Sequence, residues 1–159
     1  MSMTPQEKEL AAVGISIAAG CKPCTDFHMK AVREAGADDA AVRKSVEQAA
    51  ALRVAASGIM RAYGLAHLGE VAATPAVPKA GDRQTVLTGL GAAFAVNCTS
   101  SLERYIAAAA ANEVGAEEIV EIAKLARFIK GKGASHVDRR IEALEKGLEH
   151  RPAEACCGA

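Results

Sequence analysis

The stretch GCKPCTDFHMK, residues 20–30, joins two predicted helices and contains two cysteines separated by two residues, with a histidine four residues after the second. Gly20 is expected to end the first helix, because glycine adopts the left-handed conformation without strain. Pro23 favours the first position of a helix, and it biases Lys22 away from the α region. The stretch therefore predicts a helix up to Gly20 and a second helix from Pro23, with Cys24 in its first turn.

The sequence on both sides of this junction also predicts helices. Thr4-Pro5-Gln6-Glu7 combines a capping threonine, a proline at the first helical position and a glutamate that completes a capping box. The first helix is thus expected from about Pro5 to Ala19, and the second to about Ala35. Capping residues and amphipathic runs predict further helices from Asp38 or Asp39 to Leu52, from about Val54 to Leu68, from Asp82 to Phe94, across Ala107–Ala111, and from His136 to Glu149 with Ser135 as its cap.

The composition favours an all-α fold. Half of the residues are apolar but only 3% are aromatic, and alanine is the most frequent apolar residue. Alanine is the strongest helix former, and its small side chain lets helices approach closely. A chain of 159 residues fits one compact domain with its own core.

Charge and hydropathy exclude two classes of partner. The 19 basic and 19 acidic residues balance and form no long block of one sign, which disfavours nucleic acid. The start of the sequence lacks the features of a signal peptide, and no apolar run reaches the roughly 18 residues of a membrane span. We therefore expect a soluble cytoplasmic protein. In that reducing compartment cysteine pairs are more often catalytic or metal-binding than structural.

The helical pattern restarts after residues 69–81. A shift of 77 positions aligns the reactive residues of the first copy with residues of the second: Cys21 with Cys98, Cys24 with Ser101, His28 with Tyr105, and Glu9 with Val86. The sequence predicts two tandem helical repeats packed as one domain, at about 4–68 and 82–150, with a linker at 69–81 and a flexible tail at 151–159. Only the first copy keeps the full reactive set.

Cys24 has local physical reasons to be reactive. Unpaired backbone N–H groups and the positive end of the helix dipole stabilise a thiolate in the first turn. His28 lies one turn later on the same face, where it can hydrogen-bond the Cys24 sulfur or take its proton. Cys21, just before the helix, can close a disulfide with Cys24. Glu9 could point inward towards this site or face solvent, and periodicity alone leaves both open.

Other interpretations of the cysteine pair stay open. Structural zinc normally takes four ligands, and His28 could be a third, whereas His67, His136 and His150 look isolated and are expected to be solvated or structural. A metal- or metalloid-binding protein could instead combine the pair with the tail cysteines Cys156 and Cys157. A third interpretation is a non-catalytic helical scaffold.

The pattern Glu9-x11-Cys21-x-x-Cys24-x3-His28 resembles the core motif of the AhpD-like (alkylhydroperoxidase) branch of the carboxymuconolactone decarboxylase family. The resemblance implies an AhpD-like all-helical fold that assembles into trimers or hexamers. It also implies a dithiol that works without metal or cofactor, with Cys21, Cys24, His28 and Glu9 forming a proton relay. The family pattern has a histidine before its second cysteine, where this chain has Pro23.

The function expected from these residues is that of a thiol-dependent oxidoreductase, either an alkylhydroperoxidase or a disulfide reductase. Its substrate would be a peroxide or a disulfide, and the resemblance implies a lipoyl or thioredoxin-like dithiol as the reductant. Cys156 and Cys157 are candidate accessory thiols that could exchange with the Cys21–Cys24 disulfide. Cys98 is expected to be a small buried residue left from the duplication.

Overall fold

The computed structural model describes residues 2–146, and this part of the chain is all-helical, which confirms the predicted fold class. It contains no strand between these residues. Six α-helices and a 3-10 turn at Ala110–Asn112 follow one another: α1 (Pro5–Ala19), α2 (Lys22–Glu34), α3 (Asp39–Ala66), α4 (Arg83–Ala95), α5 (Thr99–Ala109) and α6 (Ala116–Glu145). No helix within the described range is long and apolar enough to cross a bilayer.

The junction of α1 and α2 forms as its local signals predict. The Thr4 side chain accepts a hydrogen bond from the Glu7 N–H, and the Glu7 carboxylate accepts one from the Thr4 N–H at 2.8 Å, which closes the capping box. Gly20 ends α1 with a φ of 70°, a left-handed conformation that glycine adopts without strain. The helix α2 begins at Lys22, one residue earlier than expected, and Pro23 is its second residue.

Two helices predicted separately are one helix in the structure. The run from Asp38 and the segment Val54–Leu68 were expected as distinct helices, but α3 is continuous from Asp39 to Ala66. Its internal glycines do not break it, because one glycine costs an exposed helix only about 1 kcal/mol. Gly58 also has a packing role, since a Cβ there would collide with the ring of Pro75.

The helix expected to start after Ser135 is likewise part of a longer one. The helix α6 runs without a break from Ala116 to Glu145. The Ser135 hydroxyl donates to the carbonyl of Gly131, four residues back at 2.9 Å, so it bonds within its own helix and caps nothing. The remainder of the predicted segment, from residue 147 on, lies outside the described residues.

The helices α1 and α4 form the centre of the fold, and most of their residues are buried. Both pack against α3 and α6, while α2 covers α1 and α5 covers α4. Glycines allow the two central helices to approach closely: a Cβ on Gly14 would lie 2.5 Å from Thr88, and a Cβ on Gly91 would lie 2.5 Å from Ile15.

The two halves share backbone details at the predicted shift of 77 positions. Gly20 and Asn97 both adopt the left-handed conformation, with φ of 70° and 57°. Cys21 and Cys98 both occupy the N-cap position of the following helix with nearly equal backbone angles, although only Cys21 makes a side-chain capping hydrogen bond. A duplication would leave such equivalences, and the internal repeat stays a prediction.

The segment between α3 and α4 contains the predicted linker and forms no helix. It lies against the bundle: Val77 and Ala80 pack on the core, and the Tyr105 hydroxyl donates to the Pro78 carbonyl at 2.9 Å. These contacts tie the connection to both halves of the chain.

Candidate functional site

Cys21 and Cys24 are joined by a disulfide at the N-terminus of α2, with 5.2 Å between their Cα atoms. The Cys21 backbone is fixed because its N–H donates to the Ser16 carbonyl at 3.1 Å. Its sulfur accepts a hydrogen bond from the Cys24 N–H at 3.3 Å, as a helix cap does. The end of α1 and the start of α2 thus hold the pair at bonding distance, as the sequence predicts.

The two sulfurs face different surroundings. Cys24 lines a cavity of about 270 Å³ between α2 and α6, whereas Cys21 does not. Cys21 lies beneath α6 at Gly133, where an added Cβ would be 3.4 Å from the Cys21 Cβ. The lining comes in equal parts from two helices: Pro23, Cys24, Phe27 and His28 from α2, and Phe128, Ile129, Lys132 and His136 from α6. Cys24 is therefore the sulfur that a ligand in this cavity meets.

Glu9 and His28 form a direct contact beside the cavity. The Glu9 Oε2 atom lies 2.9 Å from the His28 Nδ1 atom, and His28 is largely buried. A carboxylate only accepts hydrogen bonds, so Nδ1 carries a proton and neutral His28 keeps an accepting lone pair on Nε2. The sequence left two orientations for Glu9, and the structure brings its carboxylate to the histidine.

A second histidine reaches the disulfide from α6. One ring nitrogen of His136 lies within 4.8 Å of both the Cys21 and the Cys24 sulfur. The expectation that His136 is isolated is wrong, because α6 of the second half packs across the N-terminus of α2. Nothing in the sequence signals this approach, since His136 and the cysteines belong to opposite halves of the chain.

Cys21, Cys24 and His136 also form a candidate metal-ligand set in terms of distance alone. The second contact of His136 tests this interpretation: its Nδ1 atom lies 2.6 Å from an Arg139 nitrogen. A metal-binding histidine usually donates its other N–H to an acceptor, but a guanidinium offers donors only. The surroundings of His136 therefore suit a metal ligand poorly.

The walls of the cavity are mainly apolar and aromatic. Phe27 and Phe128 are both exposed at its rim, and Phe27 packs edge-on against His28 with 5.1 Å between ring centroids. The Lys132 ammonium lies 5.4 Å from the Phe128 ring centroid and adds a positive charge. Such walls suit the organic portion of a substrate, with the reacting group directed to Cys24.

The corresponding positions of the second half do not form a relay. Val86 and Tyr105 are buried where the first half has Glu9 and His28. Cys98 is a free, buried thiol that hydrogen-bonds Ser101 at 3.0 Å. Burial raises the pKa of Cys98, but its hydrogen bonds with Ser101 and Ser100 outweigh burial and bring the pKa below the usual 9.0.

Other residues singled out in the sequence lie away from this site or outside the described range. His67 ends α3, exposed and packed edge-on against Tyr63. His150, Cys156 and Cys157 lie beyond residue 146, outside the described residues.

A scan against protein-family models matched the carboxymuconolactone decarboxylase family over residues 2–80, about half of the chain. Searches of curated proteins and of solved structures found no match. The matched range contains α1, α2 and α3, and with them Glu9, Cys21, Cys24 and His28, whereas the α6 wall of the cavity lies beyond it. By this match and its all-helical fold, the chain belongs to the carboxymuconolactone decarboxylase family.

Proposed function

We propose that the protein is a thiol-dependent oxidoreductase, an alkylhydroperoxidase or a disulfide reductase of the AhpD-like type. The observation that supports the proposal most directly is the position of the Cys21–Cys24 pair. It is close enough to close a disulfide, it begins a helix, and it meets an organic-sized cavity beside His28. A buried histidine held by a carboxylate is an arrangement that generates thiolates.

The first chemical step begins with both thiols reduced. His28 accepts the proton of Cys24 at Nε2, and Glu9 stabilises the imidazolium that results. The Cys24 thiolate attacks one oxygen of an organic hydroperoxide, so that an S–O bond forms and the O–O bond breaks. The leaving alkoxide takes the proton from His28 and departs as an alcohol, while Cys24 becomes a sulfenic acid.

The second step closes the disulfide. Cys21 attacks the Cys24 sulfur, the S–S bond forms, and the hydroxide that leaves takes the Cys21 proton to give water. The peroxide has then gained two electrons, and the dithiol has lost two. A disulfide substrate follows the same course, with a mixed disulfide in place of the sulfenic acid and two thiols as products.

A dithiol reductant must return the pair to its reduced form. Two successive thiol exchanges move the two electrons from that dithiol to Cys21 and Cys24. The family resemblance favours a lipoyl or thioredoxin-like dithiol, and we place the reaction in the cytoplasm, where such dithiols are kept reduced.

The assignment of the two cysteines can be tested with matched serine variants. Reduced wild type should consume cumene hydroperoxide with dithiothreitol as the reductant, and Cys24→Ser should not react, because the attacking thiol faces the cavity. Cys21→Ser, reduced and then freed of dithiothreitol, should react once with the hydroperoxide and stop at the Cys24 sulfenic acid, detectable by mass spectrometry. Cys98→Ser is the control and should turn over like wild type.

Equal turnover by the Cys21→Ser and Cys24→Ser variants and by wild type would refute the dithiol mechanism. A wild-type protein whose reduced thiols react with neither the hydroperoxide nor a small disulfide such as dithiobis(nitrobenzoate) would favour the scaffold interpretation.

A further inference from the structure

The Arg139 contact determines which nitrogen of His136 carries the proton. Arg139 donates to the His136 Nδ1 atom at 2.6 Å, so Nδ1 must be an acceptor. Neutral His136 then has its proton on Nε2. One ring nitrogen lies within 4.8 Å of both sulfurs. Since Arg139 occupies Nδ1, we infer that this nitrogen is Nε2. His136 thus presents an N–H donor to the dithiol.

We propose that His136 is a further catalytic residue of the dithiol site: its ring N–H donates a hydrogen bond to the thiolate of the reduced pair and so stabilises it from the α6 side. The proposal rests on the thiol oxidoreductase function proposed above. It assigns a role to a residue from the half of the chain that the family match does not cover.

His28 and His136 present opposite hydrogen-bonding groups to the same pair. Glu9 accepts from Nδ1 of His28, which leaves His28 an accepting nitrogen for the thiol proton. Arg139 donates to Nδ1 of His136, which leaves His136 a donor for the sulfur that has lost that proton. The proton moves from Cys24 to His28 and then to the leaving group, while His136 keeps its own proton throughout.

Three other side chains of the cavity are less suited to this role. The Lys132 ammonium lies over the Phe128 ring, and within the described residues it makes no hydrogen bond to Cys21 or Cys24. Phe27 and Phe128 have no polar atom to offer a sulfur anion. The remaining polar group that approaches a sulfur from α6 is the Ile129 carbonyl, 3.9 Å from Cys24, and a carbonyl cannot donate to a thiolate.

The test compares a donor and a non-donor at position 136. His136→Gln keeps an N–H, whereas His136→Leu keeps the approximate volume without a polar atom. Two quantities are measured on the full chain: the rate of iodoacetamide alkylation of the reduced dithiol at fixed pH, and the equilibrium constant of the Cys21–Cys24 disulfide with glutathione. Alkylation is quantified by mass spectrometry on the peptide that carries Cys21 and Cys24, so that Cys98, Cys156 and Cys157 do not contribute to the measured rate.

A hydrogen bond to a charged sulfur predicts roughly a tenfold loss of alkylation rate in His136→Leu. The equilibrium with glutathione should shift about tenfold towards the disulfide, because the reduced form loses its stabilising donor. His136→Gln should recover most of both effects. His67→Leu, an exposed histidine at the end of α3, is the matched control and should leave both quantities unchanged.

A wild-type alkylation rate and a wild-type glutathione equilibrium in His136→Leu would overturn the role of His136. Equal losses in His136→Leu and His136→Gln at unchanged circular dichroism would also overturn it, because the amide would then not replace the donor. Stoichiometric zinc could also protect the wild-type thiols from alkylation and fail to do so in both variants. The ring would then be a metal ligand, and the proposed donor role of His136 would be wrong. The serine variants separate these failures from that of the proposed function: if Cys24→Ser abolishes turnover while His136→Leu does not change the dithiol, only the inference on His136 fails.

Discussion

The contact between Glu9 and His28 defines the chemistry of the site at the scale of single residues. Glu9 belongs to α1 and His28 to α2, and the 2.9 Å contact joins their side chains across the helix pair. About a quarter of the Glu9 side chain remains exposed, so the carboxylate stays hydrated while it fixes the ring. Its negative charge stabilises the imidazolium that forms when His28 takes a proton.

Glu9→Gln should therefore slow the reaction of the reduced dithiol with hydroperoxide by roughly tenfold to a hundredfold, because the amide keeps the hydrogen bond but removes the charge. The second-order rate constant, followed by stopped-flow loss of free thiols, measures this effect. Glu34→Gln, at the exposed C-terminal end of α2, is the control. Equal rate constants for the two variants would show that Glu9 has no part in the relay.

At the scale of the helices, close packing of α1 against α4 holds the two halves of the chain together. Gly14 faces Thr88 across this interface, and Gly91 faces Ile15, which is fully buried. The two glycines are related by the same shift of 77 positions as the cysteines. Small residues here allow α1 and α4 to approach closely, and α6 packs on both of them.

Gly91→Ala should lower the free energy of unfolding by about 1–3 kcal/mol, because the added methyl group would lie 2.5 Å from Ile15 in a core that cannot move away. Gly131→Ala is the matched control, because Gly131 lies inside α6 with open space around it. Alanine has a higher helix propensity than glycine, so this variant should be more stable than wild type by up to about 1 kcal/mol. Urea unfolding followed by circular dichroism measures both. A Gly91→Ala protein as stable as Gly131→Ala would contradict the packing assigned to α1 and α4.

At the scale of the whole molecule, Arg83 joins the N-terminal ends of three helices. Its guanidinium at the start of α4 pairs with Glu7 of α1 at 2.7 Å and with buried Glu118 of α6 at 2.5 Å. The Arg83 hydrogen bond holds the pKa of Glu118 below the usual 4.5 despite burial. Burial raises the pKa of Glu7, but hydrogen bonds from Arg83 and Thr4 outweigh it and lower the pKa overall.

Both carboxylates therefore contribute stability that is complete above their unfolded pKa of about 4.5 and is lost as the pH falls through their lower folded values. Arg83→Met should lose about 3–5 kcal/mol of unfolding free energy at pH 7, because Glu118 is left buried without its partner. An unpaired buried carboxylate has a raised pKa, so Glu118 of the variant takes up a proton as the pH falls from 7 to 4. The gap in unfolding free energy between the variant and wild type should therefore narrow over this range.

Urea unfolding at pH 7, 5 and 4 measures this gap. Lys8→Met, which breaks a half-exposed pair with Glu121, is the control and should change stability by under about 1 kcal/mol. A gap between Arg83→Met and wild type that stayed constant or widened in acid would contradict the role of the buried pair.

The homo-oligomer implied by the family resemblance stays a prediction. Three large apolar side chains are exposed on the outer half of α6: Val137, Ile141 and Leu144. We propose that a second copy of the chain binds this face, since residues 2–146 provide no packing partner for these three side chains.

The sequence by itself determined the helical class and the start of the site. Thr4, Gly20 and Pro23 act on their nearest neighbours, through a capping hydrogen bond or a restricted φ angle, so their effects can be predicted without knowing the fold. The same local rules placed Cys21 and Cys24 at the beginning of α2. Local signals failed at Ser135, where a capping residue lies inside a continuous helix.

Only the tertiary structure decided what surrounds the cysteines. Periodicity left two orientations for Glu9, and packing of α1 against α2 selected the one that reaches His28. His136 approaches the sulfurs because α6, from the other half of the chain, crosses the N-terminus of α2. Such an approach depends on how distant helices pack rather than on any local pattern, so the sequence predicts a dithiol but not the second histidine beside it.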